Sequence, residues 1–187
     1  MVAALLIIWF GSNILSDGAF LTSRNLWNLS VQTSVVAIMA TGMVLVIVSR
    51  NIDLSVGSML AAVGMAMALL QTRYLTDIFD IGSPAIWIIA ILAGLLLGTL
   101  IGALQGTIVA YIGVPSFIVT LGGLLVWRGV AWWMASGQTI APMDRTFQIL
   151  GGGARGTIGG TWTWILGIAG CVGVVVLMWN RRRQRIR

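Results

Sequence analysis

RNIDLSVGS, residues 50–58, is the stretch on which the reading of this chain turns. It places Arg50, Asn51, Asp53, Ser55 and Ser58 between two strongly apolar segments, in a chain where charge is scarce. Of the 187 residues 58% are hydrophobic and only 9% charged, and the mean hydropathy is +0.99. A soluble domain carries about 45–50% apolar and about 25% charged residues. The apolar segments on either side of residues 50–58 are therefore membrane spans, and the turn between them needs a reason to be polar.

Locally, Asp53 or Ser55 is suited to cap a helix that starts near Val56, and Gly57 and Ser58 keep its first turn slim. Two readings follow. The stretch is either a plain cytoplasmic turn with a good cap, or the polar start of a broken helix of the kind that builds mid-membrane sites in transporters.

Working outward, residues 31–49 form one expected span and residues 56–71 the next. At 16 residues the latter reaches only about 24 Å, so it either extends through Tyr74 or begins below the membrane surface. Residues 85–111, 117–135 and 162–179 supply three further spans, and residues 1–15 read as the remains of a first one. Residues 16–30, with charge, turn formers and Trp27, suit an interfacial stretch. Gly113 fits a helix end and Pro115 the first turn of the next helix. The fold class is all-α: a polytopic transmembrane helical bundle of about six spans, with residues 1–187 as one transmembrane domain.

Five of the eleven arginines lie in RRRQRIR at the end of the sequence. Directly after an apolar segment, that cluster reads as a cytoplasmic anchor, placing both termini and Arg50 inside. It explains the net charge of +6 by way of the lipid bilayer, with no call on nucleic acid.

Chemistry has little to work with. Histidine, lysine and glutamate are absent, which removes the usual general bases and most metal ligand sets. The chain therefore reads as no enzyme, with no catalytic residues and no metal site. Cys171 is a small residue inside an apolar run. Gly151, Gly153 and Gly156 match GxGxxG without the strand and acidic residue that give the pattern meaning, and no GxxxxGK[ST] occurs, so ATP is not bound here through a P-loop.

Gly94, Gly98, Gly102 and Gly106 recur every fourth residue and line one face of the fourth span. That is a packing ridge, expected to seat a neighbouring helix of the same chain. Arg128 lies eleven residues after Phe117, about 16 Å into its helix, where a charge faces the bundle interior or water. It is expected to line the transport path or to pair with Asp53. Gln105, inside the fourth span, suits a helix-to-helix hydrogen bond.

DGAFLTSRNLWNL (17–29), GMVLVIVSRNIDLSVGSM (42–59), VPSFIVTLGGLLVWRG (114–129) and SGQTIAP (136–142) together resemble, in order and spacing, the N-terminal half of the permease subunit of bacterial ABC monosaccharide importers of the ribose and xylose type. The resemblance implies a cell-membrane subunit that forms part of a sugar path by alternating access. It also implies a cytoplasmic ABC ATPase that binds the ATP, a periplasmic sugar-binding protein and a second permease copy as partners. Asp53, Ser55, Ser58 and Arg128 are the path candidates. The family continues with a second set of spans, including the loop that transmits ATPase motion. Two other readings stay open: half of an ion-coupled secondary transporter with Asp53 as the coupling carboxylate, and a non-transporting assembly protein built on the glycine ridge.

Overall fold

A computed structural model describes residues 2–151, 162 and 164–173. Among them the regular structure is entirely helical, and the chain divides into two compact units, residues 1–144 and 145–187. The first unit holds α1 (Val2–Leu15), α2 (Ser23–Val48), α3 (Val56–Leu69), α4 (Pro84–Thr107) and α5 (Ser116–Ala135). The second holds the short α6 (Arg145–Gly151) and an apolar helix α7 (Trp164–Gly173). RRRQRIR, most of the Gly-rich segment after α6 and the last part of the expected sixth span lie outside the described residues.

Among the described residues four helical stretches are long and apolar enough to cross a membrane: Ser23–Val48, Val56–Asp77, Pro84–Ile112 and Ser116–Ala135. Ala3–Leu15 and Trp164–Gly173 are apolar but shorter. The polytopic helical bundle stands, with two of the six expected spans represented by these short helices.

One boundary differs from expectation, and at another the chain takes one of the two alternatives the sequence left open. α2 begins at Ser23, so the stretch around Trp27 belongs to the helix and is not a separate interfacial segment. Its polar side chains are absorbed by neighbouring carbonyls: Asn25 Nδ2 donates to Phe20 O at 2.7 Å and Ser30 Oγ to Leu26 O at 2.8 Å, which removes the reason to leave the helix. The third span extends past Tyr74, because a π turn (Leu70–Tyr74) and a 3-10 turn (Leu75–Asp77) prolong α3 to 22 residues. A second π turn, Ile108–Ile112, ends α4, and Gly113 then takes the left-handed φ of 79° that reverses the chain into α5. Pro115 stands one position before α5.

α3 is the central helix, packed on α5 along one side and on α4 along another. The apolar side chains buried between them are mostly alanines: Ala62 and Ala68 from α3, Ala90 from α4, Ala131 and Ala135 from α5. Most large apolar residues face outward, with Leu45, Leu95 and Leu125 each at least 65% exposed, while Leu75, Ile86 and Ile101 are buried. Lipid is as apolar as leucine, so helices in a bilayer associate through close backbone approach and polar contacts, and small residues permit that approach.

The glycine ridge serves only at one point. A Cβ at Gly94 would run into the Met67 thioether of α3, whereas at Gly98, Gly102 and Gly106 it would meet nothing within 4 Å. The expectation of a continuous intramolecular seam is corrected: α3 leans on α4 at Gly94 and leaves the other three glycines open. Since methionine is flexible, Gly94→Ala is expected to shift the unfolding temperature by no more than about 3 °C, read by thermal aggregation of the detergent-solubilised chain.

Candidate functional site

The polar turn after α2 is held by the start of α5. Arg50 takes a left-handed φ of 61°, and the chain then passes Ser116, whose Oγ accepts the Ile52 N–H at 3.2 Å. One helical turn on, Thr120 Oγ1 donates to Ile52 O at 3.2 Å while also meeting Ser116 O at 2.8 Å. The spacing of four puts both hydroxyls on one face of α5, so a single backbone unit is gripped at its donor and its acceptor. Thr120 is 5% exposed, so its hydroxyl is buried while it satisfies the Ile52 carbonyl.

Asp53 and Ser55 form the second part of the hub. Asp53 Oδ1 accepts from both the backbone N–H and the Oγ of Ser55, each at 2.7 Å. This ring fixes the turn rather than the helix: Ser55 occupies the cap position of α3 without a side-chain cap bond, and Ser58 Oγ donates back to Ser55 O at 2.8 Å. The expected N-cap is thus replaced by an aspartate-closed turn.

Ser55 is fully buried, and its Oγ also lies 3.0 Å from Gln105 Oε1 on α4. Gln105 is itself 9% exposed, and its Nε2 has no hydrogen-bond partner among the described residues. The amide lies against Gly123 of α5, where a Cβ would collide with it and would also come within 3.2 Å of Ser55 Cβ. The hub therefore ties α3, α4 and α5 at one end of the bundle, and Gly123 supplies the space for the tie.

Beside the hub opens a cleft of about 320 Å³. Its polar walls come from Ser49, Asn51, Asp53, Gln105, Ser116 and Thr120, and Gly102 and Gly106 form part of its lining. That volume lies at the small end of ligand sites, which run from about 300 to 1,000 Å³.

Of the four expected path residues, only Asp53 lines this cleft. Ser55 lies buried behind it and Ser58 is half-buried in the first turn of α3. Arg128 is elsewhere: it stands eight residues beyond Thr120, about 12 Å farther along α5, and is exposed. The expected Asp53–Arg128 pair is absent among the described residues, since the Asp53 carboxylate turns to Ser55. Ser116 and Thr120, inside the string PSFIVTL, are the site residues that sequence reasoning did not single out.

The model of the branched-chain amino acid transport system permease component matches residues 25–180. The chain belongs to this permease family. It is 37% identical over 187 residues to the xylose transport system permease protein XylH of Haemophilus influenzae, covering 100% of this chain and 46% of that protein. The corresponding protein of Escherichia coli strain K12 is 37% identical over 185 residues, 99% of this chain and 44% of the relative. The ribose import permease protein RbsC of the same strain is 40% identical over 140 residues, 75% of this chain and 40% of the relative. This permease-family chain thus spans less than half the length of the curated relatives it matches. No solved structure matches it.

Proposed function

We propose that the chain is a membrane component of an ATP-driven monosaccharide importer of the bacterial cell membrane, for a pentose or a similar sugar, contributing helices to the path by alternating access. The carrying observation is the polar cleft beside residues 50–55, cut into helices that are otherwise apolar, in a family whose relatives are named for xylose and ribose transport. Hydroxyl, amide and carboxylate groups offer donors and acceptors to a polyhydroxylated solute, and the open glycines keep the wall low enough for it to pass. In this reading Asp53 meets the solute, Ser55 and Ser58 position the turn, and residues 1–187 act as one permease domain with RRRQRIR and Arg50 on the cytoplasmic side. ATP is bound by a separate cytoplasmic ABC ATPase, a periplasmic binding protein delivers the sugar, and a second permease copy completes the path.

The test is pentose uptake by cells that lack their own xylose and ribose transport and carry this chain with its ATPase, its binding protein and any companion permease. Labelled pentose should enter, stop on ATP depletion and persist when the proton gradient collapses. The reverse dependence would assign the chain to ion-coupled transport, and absence of flux in every combination would leave only the assembly role. Within that assay Gly106→Leu should lower the initial rate at least about tenfold with unchanged amounts in the membrane, because its side chain fills the cleft where nothing stands within 4 Å. Gly98→Leu, equally open but away from the cleft lining, should stay within about twofold.

A further inference from the structure

Arg128 is a cation about 18 Å from the start of α5 and about 10 Å from its end, on the outside of a 20-residue apolar helix. Side chains on a helix lean toward its N-terminus, so the Cα–Cβ bond of Arg128 is tilted away from the nearer helix end. A charge at that depth does not face lipid: it meets water or a polar partner. Asp53 is already engaged with Ser55, and Arg128 has no ion pair or hydrogen bond with any described residue.

The sequence narrows the partner. All five acidic residues are aspartates, and each lies outside the middle of a span: Asp17 between α1 and α2, Asp53 before α3, Asp77 and Asp80 between α3 and α4, Asp144 before α6. A second copy placed symmetrically on the same face would bring Arg128 toward its own equivalent, which repels. Leu121, Leu125 and Trp132 share the stripe with Arg128 at helical spacing and are 49%, 67% and 69% exposed. Gly129, next to it, has open space at its Cβ position. Within residues 1–144 the stripe is an uncovered helix face, apolar except for one cation at depth.

We infer that this face of α5 is the seat of a transmembrane helix from outside these 187 residues, one that carries an Asp or Glu level with Arg128. The two charges close a pair at mid-depth while Leu121, Leu125 and Trp132 pack around it. This goes beyond the transport reading and does not depend on which solute is carried.

The experiment places a photoreactive benzoylphenylalanine at Leu125 or at Trp132 of the full chain, in native membranes that contain its companion polypeptides, and maps the adducts by mass spectrometry. Both positions should join the same membrane helix, within one turn of an Asp or Glu. Arg128→Glu should lower the adduct yield at least about tenfold, and exchanging the mapped acid for Arg in that background should restore it. If Arg128→Glu fails to accumulate in the membrane, recovery of accumulation by the same exchange supports the pair, and no recovery overturns it. Adducts with lipid alone, with α5 of a second copy, or with a helix lacking an acid would each overturn it. So would rapid labelling of Arg128→Cys, in a Cys171→Ser background, by a charged methanethiosulfonate, because that places the face in a water-filled path. Sugar uptake is read separately, so loss of the transport reading leaves this result intact, and the converse.

Discussion

Gly123→Ala is expected to lower the unfolding temperature of the detergent-solubilised chain by about 5–10 °C. The new Cβ would occupy the place of the Gln105 amide and crowd Ser55 Cβ at 3.2 Å. Neither neighbour can yield easily, since Ser55 is fully buried and Gln105 is 9% exposed. Overpacking of this kind costs about 1–3 kcal/mol, and each kcal/mol moves the midpoint of a chain of this size by about 2–4 °C. Truncating the amide should relieve it: Gln105→Ala alone leaves Ser55 Oγ still bonded to Asp53, and it removes a buried nitrogen that has no partner. The double variant should therefore unfold within about 3 °C of Gln105→Ala alone, a coupling of about 1–2 kcal/mol. Additive losses would mean that Gly123 matters for a reason other than the seating of Gln105.

The second large effect separates two roles for Asp53. Asp53→Ala deprives the Ser55 N–H of its 2.7 Å acceptor at a residue with no access to water, and leaving such a donor unmet costs about 1–3 kcal/mol. Both the unfolding temperature and pentose uptake should fall, uptake at least about tenfold, because the turn that borders the cleft is released. Asp53→Asn keeps an acceptor oxygen where Oδ1 stands and loses the charge. It should retain at least about half of the stability gap and a substantial share of uptake. Complete loss of uptake in Asp53→Asn with normal stability would show that the charge itself is needed, which is the behaviour of a coupling carboxylate.

Much of this bundle is written in local patterns. Apolar runs and their breaks at Gly113 and Pro115 placed α3, α4 and α5, because helices in lipid satisfy their own backbone and reveal themselves by length and polarity alone. The polarity of residues 50–58 pointed to the hub for the same reason: polar groups between spans need partners. Which partners they have was not legible. Ser116 and Thr120 look like ordinary residues at a helix start, and only the side-by-side packing of α3 and α5 brings them to Ile52. Gly122 and Gly123 are equivalent in sequence, yet the phase of α5 turns one to open space and the other to Gln105. The period of Gly94, Gly98, Gly102 and Gly106 marks one helix face but does not say that only Gly94 is met by a neighbouring helix. Similarly, Arg128 was recognisable as a misplaced charge, whereas its distance from Asp53 depends on how far α5 runs past the hub.

The grip on Ile52 has a consequence for how the chain is made. Its two hydroxyl partners are 64 and 68 residues downstream. When α2 and α3 leave the ribosome, the turn between them has its local Asp53–Ser55 bonds, but the Ile52 N–H and carbonyl have no hydroxyl partners and must stay hydrated until α4 has been threaded and α5 follows. The grip on Ile52 closes only then, so a chain arrested before Ser116 carries α2 and α3 joined by a turn whose Ile52 backbone is still wet. Arrested chains of increasing length should therefore keep the Ile52 region open to a water-borne alkylating reagent at an introduced cysteine until the segment through Thr120 has emerged, and lose that reactivity within a few residues of its arrival.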